Sequence, residues 1–384
     1  MAAASTGHVL YPAWLALASR GRRATPPSDP VSWPAVTVLV AAYGEAEYIG
    51  AKVRDVLANG YPGPLDVMVV ADADVETAAR AEQAGATVVT ADERLGKAQA
   101  LNLGFSKVTA PVVVVSDANN VIAPGAIAAL VRHLGDPTVG AVAGEKLEAD
   151  GAGEDLYWRF ESWLKQREWR LGTTIGLVGE LAAIRTEAWQ PVPSDIATDD
   201  LWTALDLSAR GYRIAYEPRA QAFDPPVPTL EQQWERRTRS VSGAMHVFMR
   251  RRHQLGPAGG VVAAQIWGHR LARYTVSPLA HVLLLVLAVR RVRTSRLAAL
   301  FLGGHVVALA GLARKAATAP VTVGPDDDPG DPGAAASAPT SGRRLADALG
   351  QVVFLNAVAI GGLLRYLRGD RLTQWPVVRQ PKRM

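Results

Sequence analysis

The side chains of this sequence best suited to chemistry stand where apolar runs stop. In VVVVSDANN a wholly apolar run ends at Asp117, with Asn119 two residues on. Two oxygen-bearing side chains at that spacing can face one point on the edge of a sheet. A hard cation such as Mg2+ or Mn2+ takes oxygen ligands and keeps phosphates as its remaining ones; an Asx-rich turn is the competing reading. Asp72 and Asp74 end a second run, in VVADAD, where a carboxylate can accept from a nucleobase N–H or a ribose hydroxyl. Glu45, in AAYGEAE, follows a third, and a carboxylate there favours the first turn of a following helix. Lys97 opens a helix after a glycine, a place suited to a phosphate and equally ordinary for a solvated lysine. Thr198-Asp199-Asp200 precedes an apolar helix and serves either as its cap or as the source of a general base for an acceptor hydroxyl. Arg236, Arg237 and Arg239 share a polar helix. They suit either a pyrophosphate, held by charge-assisted hydrogen bonds, or a membrane-surface patch.

These positions require a scaffold, and the hydrophobic pattern supplies one. Segments 36–42, 65–71, 87–90, 112–116 and 139–143 are β-branched and nearly all apolar, as parallel strands buried on both faces must be. Helices are predicted between them at 45–58, 75–84, 96–108 and 124–134. That alternation predicts a doubly wound α/β sheet, in which ligands bind beyond the carboxyl ends of the strands. A longer helix over 154–171 carries Tyr157, Trp158, Phe160, Trp163 and Trp169; it reads as a core or membrane-facing helix rather than a sugar-stacking platform. The segment 229–252 is polar, basic and helical.

Composition narrows the class. The chain lacks cysteine, which excludes disulfides, thiolate metal sites and cysteine nucleophiles. Its seven histidines show no HxxxH-type pairing, so a histidine-built metal site is not expected. The net charge of +5 gathers beside apolar runs, at Arg20–Arg23, Arg250–Arg252, Arg290–Arg293 and Arg365–Arg371. That placement indicates membrane flanks rather than a nucleic-acid surface. Residues 8–19 are too short for a span and lack the basic start and cleavage site of a signal peptide, so they read as an interfacial or partial membrane helix. The expected plan is an apolar segment and linker over 1–35, an α/β domain over 36–250 and an amphipathic interfacial helix over 256–274. Membrane helices follow over 275–365, interrupted by a disordered loop at 318–343, and a basic tail closes the chain at 366–384. The apolar runs contain Asp347 as their one acidic residue, near a helix end, which argues against a channel or transporter.

Taken in order, these signals resemble the family-2 glycosyltransferases of the GT-A fold, over about residues 36–243 and more weakly through to WPVVR near the C-terminus. The resemblance implies a GT-A (Rossmann-like, doubly wound) catalytic domain followed by an α-helical membrane region. It implies that Glu45 and Asp72 contact the nucleotide, Asp72 through the base, with Lys97 of GKA beside it. Asp117 and Asn119 match a DxD metal motif for Mg2+ or Mn2+. Thr198–Asp200 matches TED, with Asp199 in the substrate site and Asp200 as catalytic base. Arg236–Ser240 occupies the QxxRW position, with Arg236 for the Gln, Arg239 for the Arg and Ser240 for the Trp; Gly179-Glu180 resembles the acceptor-side loop. The missing tryptophan points away from a processive polysaccharide synthase. The implied reaction is inverting transfer from a nucleotide sugar, UDP-linked by analogy, to a hydroxyl on a glycan or lipid acceptor in envelope or extracellular polysaccharide or glycolipid synthesis. Membrane lipids are partners and nucleic acid is not. The alternatives are transfer to polyprenyl phosphate, or a non-catalytic subunit of a polysaccharide-assembly complex. The expected location is the cell (inner) membrane, multi-pass, with the catalytic domain in the cytoplasm.

Overall fold

The computed structural model describes residues 6–24, 26–148, 155–225, 229–317 and 341–370. A short helix α1 (Tyr11–Ala18) precedes the sheet-forming part of the chain. There, β1 (Val36–Ala42), α2 (Ala46–Leu57), β2 (Leu65–Ala71), α3 (Val75–Gln83), β3 (Thr87–Thr90), α4 (Lys97–Phe105) and β4 (Val112–Ser116) alternate as the hydrophobic pattern predicts. Next come β5 (Val121–Ile122), α5 (Ala126–His133), β6 (Val139–Glu148), α6 (Asp155–Arg170), β7 (Leu181–Arg185), α7 (Asp199–Ala209), β8 (Arg213–Asp224) and the long α8 (Leu230–Arg250).

All eight strands join one sheet in the order β3-β2-β1-β4-β7-β6-β8-β5. The first half is parallel, and its registers are aligned: Val36 lies opposite both Leu65 and Val112, so β1, β2 and β4 run out at one rim. Valines 112 to 115 and Val36, Val38 and Val40 are buried on both faces of this half, which is why alternation is absent from their sequence. The second half is mixed, and it completes the expected Rossmann-like GT-A domain. β7 runs antiparallel to β4, with Ser116 opposite Leu181. That reversal carries the residues just before β7, Gly179 and Glu180, to the rim where β4 ends. β6 pairs antiparallel with β7 and parallel with β8. The β6–β8 register jumps between Ala143 and Glu145, where Pro218 and Arg219 are exposed and the partner residue moves from Tyr216 to Gln221. Such a bulge bends the strand and re-aims the side chains beyond it.

Beyond the sheet, Pro257–Arg291 forms a continuous apolar helical segment, with a π-helical stretch at Ile266–Leu271 and a turn at Thr275. It contains α9 (Gly260–Gln265), α10 (Ala272–Tyr274) and α11 (Val276–Arg291). Within 256–274, read from sequence as an interfacial helix, Ile266, His269, Leu271 and Arg273 are buried while Val261 and Trp267 are exposed. Two further helices, α12 (Arg296–Ala317) and α13 (Ser341–Leu367), complete the chain as described. Three helices, Pro257–Arg291, Arg296–Ala317 and Leu345–Leu367, are thus long and apolar enough to cross a membrane. Leu279, Leu283, Leu297, Leu300 and Leu309 are exposed on them, as lipid-facing residues would be. The expected disordered loop lies almost wholly in 318–340, and most of the basic tail with WPVVR in 371–384, both outside the described residues.

An ionic cluster joins the two parts. Glu161 and Glu168 of α6 are buried, and His269 lies between them at 2.8 Å from each. Arg273 donates to Glu161 at 2.6 Å, and the Tyr11 hydroxyl of α1 donates to Glu168 at 2.6 Å. Burial pushes Glu161 up, yet Arg273 and His269 outweigh it and hold the carboxyl well below its ordinary range. One face of the aromatic helix α6 is therefore a docking face for the apolar segment Pro257–Arg291 and for α1, whose Leu15 is buried with Leu164.

Candidate active site

The rim of the sheet borders a cavity of about 270 Å3. Lys97, Asp117, Gly179, Glu180, Asp199, Asp200, Arg236 and Arg239, eight of the residues singled out from sequence, all line it. Lys97 is central: its Nζ donates to Asp117 at 2.5 Å and approaches the Gly179 carbonyl at 3.5 Å. It reaches this place because Gly96, at φ 83°, turns the chain into α4. Burial depresses the Lys97 ammonium, but Asp117 and Asp199 overcome that and raise it above the ordinary lysine range. Gly179 passes close to both side chains: a Cβ there would stand 3.4 Å from Lys97 Nζ and 3.9 Å from Asp200 Cβ.

Asp199 and Asp200 open α7, where carboxylates meet the positive end of the helix. Thr198 sits at the cap position but makes no side-chain cap bond, so capping does not account for this triplet. One oxygen of Asp200 accepts from the Leu201 N–H at 2.8 Å. Burial first, then Asp199 and Glu180, push the Asp200 carboxyl up to about 7. A base poised there is half deprotonated near neutrality, which suits proton abstraction.

Four other residues singled out from sequence lie around this cavity. Asp72 is buried and spends both oxygens on the Leu95 and Gly96 N–H groups, at 2.6 and 2.9 Å. It fixes the turn that delivers Lys97, and its carboxylate is not turned outward to a base. Asp74 caps α3 through Thr77 N and accepts from Gly44 N at 2.7 Å, tying the first loop to the second. Glu45 and Asn119 lie outside the cavity lining. Glu45 is nevertheless close enough to Asp117 that burial, Asp117 and Asp74 together raise it to about 7. Asn119 is exposed, whereas its neighbour Asn120 is buried and accepts from Lys52 at 2.6 Å.

Asp117 and the exposed Asn119 offer one carboxylate and one amide oxygen at the end of β4, with a second carboxylate, Glu45, within electrostatic reach. No group of three or more His, Asp or Glu among the described residues could hold a metal by itself. The donor set therefore fits a hard divalent ion that draws its other ligands from a bound diphosphate.

Sequence reasoning missed Lys146 and Asp224. Lys146 is 1% exposed, reaches Glu180 at 2.7 Å and forms a short ion pair with Asp224. Arg236 adds a contact of 3.4 Å to Glu180. Burial raises Glu180, but Lys146 and Arg236 prevail and hold it well below its ordinary range. The available signal was a lysine embedded in a strand of small and apolar residues, VGAVAGEKLE. Tyr157 and Trp158 line the cavity, with Arg237 over the Tyr157 ring at 4.5 Å, while Trp169 of the same helix is in the core.

A mixed sheet with carboxylates at one rim, a buried lysine and an arginine-bearing helix over the opening defines a GT-A domain, and the chain belongs to the glycosyltransferase-like family 2, whose model matches residues 34–243. It is 28% identical over 232 residues to a poly-beta-1,6-N-acetyl-D-glucosamine synthase of Staphylococcus aureus, covering 56% of each chain. It is 29% identical over 225 residues to an N-acetylglucosaminyltransferase of Mesorhizobium japonicum, covering 50% of this chain and 53% of that one. The chain thus spans about half the length of the curated relatives it matches. A solved mannosyltransferase from Pyrobaculum calidifontis, in complex with GDP-Man and Mn2+, superposes with a TM-score of 0.72 at 25% identity, over 96% of this chain and 97% of that one. At 96% coverage that superposition extends into the long apolar helices beyond the sheet.

Proposed function

We propose that the protein is an inverting, non-processive glycosyltransferase that moves a sugar from a nucleoside-diphosphate sugar to an acceptor hydroxyl in envelope or extracellular polysaccharide or glycolipid synthesis. The observation that carries this reading is the placement of Asp200 beside Lys97 and Asp117 in one cavity, with its carboxyl raised to about 7. Asp200 takes the proton of the acceptor hydroxyl as its oxygen attacks the anomeric carbon from the face opposite the diphosphate. Lys97, Arg236 and Arg239 offer positive charge to the diphosphate as it departs. Asp117 and Asn119 would hold Mg2+ or Mn2+, which neutralises charge on the leaving diphosphate when bound. The relatives' names support amino-sugar or mannose donors, and the Mn2+ complex of the solved mannosyltransferase supports the metal. UDP is the expected nucleotide by family resemblance. The GDP-Man complex sets the competing arm. The protein is placed in the inner membrane with this cavity on the cytoplasmic side, where nucleotide sugars are made.

The test is a panel of UDP- and GDP-sugars offered to the full chain in detergent, with Mn2+ or with chelator, following nucleotide binding and release. Metal-dependent binding of one donor is the expected result. Absence of binding across the panel would instead support a non-catalytic assembly subunit.

A further inference from the structure

The cavity has two unlike ends. The donor end holds Asp117, Glu180, Asp199 and Asp200 around Lys97. The other end runs beneath α8 towards α13, one of the three helices apolar enough to cross a membrane. Its walls there are Val241, Leu355, Val358 and Ala359, all apolar. Between the two ends stand Arg237, Arg270 and Arg273, with Glu161 as the carboxylate among them. Over the whole lining, eight Lys and Arg face five Asp and Glu.

The arginines also retain unused donors. The Nε–H groups of Arg270 and Arg273 are buried and have no hydrogen-bond partner among the described residues, and Arg273 is only 7% exposed. A buried N–H without an acceptor is unfavourable, and the loss is recovered when a ligand oxygen meets it. Guanidinium groups match the oxygens of a phosphate in both charge and geometry. An anionic group set beside a wall that continues into a membrane-spanning helix describes an amphiphile. A soluble glycan chain has neither feature.

We propose that the acceptor is a membrane lipid with a phosphate-linked, hydroxyl-bearing head. Its phosphate rests on Arg270 and Arg273, its apolar chain leaves along α13, and its hydroxyl is presented to Asp200. This rests on the transferase reading above. In the step, the head-group oxygen bonds to the anomeric carbon and its proton passes to the Asp200 carboxylate. The bond from that carbon to the diphosphate oxygen breaks, and the electron pair leaves with the nucleoside diphosphate.

The test uses the full chain in phosphatidylcholine nanodiscs with a radiolabelled donor identified from the panel. A total bacterial lipid extract is split by anion exchange into neutral and anionic fractions, and a water-soluble extract forms the third arm. Label should enter solvent-extractable product from the anionic fraction, with the other two arms giving about a tenth as much or less. Arg270→Gln should raise the amount of anionic lipid needed for half-maximal transfer about tenfold or more. Arg270→Lys, which keeps the charge, should recover much of that loss and so separates a lost contact from a lost fold. Product formed mainly from neutral lipid or soluble acceptor overturns the proposal, as does an Arg270→Gln enzyme that saturates like wild type. Donor binding is measured on the same samples. Without it the transferase reading fails, whereas donor binding without an anionic-lipid product defeats the acceptor assignment alone.

Discussion

Asp200→Asn removes a charge at almost constant volume, and its effects on stability and on turnover should have opposite signs. Burial, then Asp199 and Glu180, raise this carboxyl from 3.8 to about 7 in the folded protein. A carboxyl whose folded value is raised binds its proton more tightly when folded, so the native state loses stability as pH climbs from about 4 through 7. At about 1.4 kcal/mol per pH unit the ceiling on that loss is about 4 kcal/mol. The side chain faces the cavity, and solvent screening there lowers the expectation to about 1–2 kcal/mol. Asparagine escapes the penalty. In tryptophan-fluorescence melts at pH 8.5 the variant should unfold roughly 2–8 °C above wild type. The gap should shrink by about half at pH 5.5 and close towards pH 4. Turnover of the same variant should fall about 100- to 10,000-fold, with donor binding retained. Wild-type transfer should decline about tenfold per pH unit below pH 7, as Asp200 becomes protonated. A variant that melts no higher than wild type at pH 8.5, or that keeps its turnover, would refute the assignment of Asp200 as a strained and functional base.

Gly179→Ala places a methyl at ordinary contact distance from both Lys97 Nζ, at 3.4 Å, and Asp200 Cβ, at 3.9 Å, and should leave turnover within about threefold of wild type and the melting temperature close to it; steady-state kinetics and a thermal melt check both. Lys146→Met leaves Glu180 and Asp224 without their buried cation and should destabilise the domain by about 3–5 kcal/mol, measured by denaturant titration in detergent. Asp117→Asn should weaken donor binding in the presence of Mn2+ and leave little difference from wild type once metal is chelated, which calorimetry resolves. Equal loss in both conditions would make Asp117 a partner of Lys97 alone.

The parallel half of the sheet could be read from its strands because burial on both faces leaves continuous valine runs that few other structures require. In the other half β6 was read from 139–143, whereas β7 and β8 were missed for reasons visible in their residues. β7 is LAAIR, too short and too rich in alanine to stand out, and β8 is interrupted by Pro218 and Arg219 at the bulge. Aspartates at the ends of β-runs were legible as rim residues, since register alone brings the ends of β1, β2 and β4 together. Direction was not legible: Asp72 turns inward because two backbone N–H groups of the 95–96 turn claim it. The Lys146 network was hidden because its members come from β6, the end of β8 and α8, whose adjacency follows only from the mixed topology.

The cluster of Glu161, Glu168, His269, Arg273 and Tyr11 has a consequence for how this protein can be handled and how it matures. Cutting the chain after residue 250 would strip two interior carboxylates of their countercharges, and a soluble fragment would expose or neutralise them rather than keep its native fold. In the chain the whole sheet, which ends at Asp224, precedes His269, so Glu161 and Glu168 are made before the partner that sits between them.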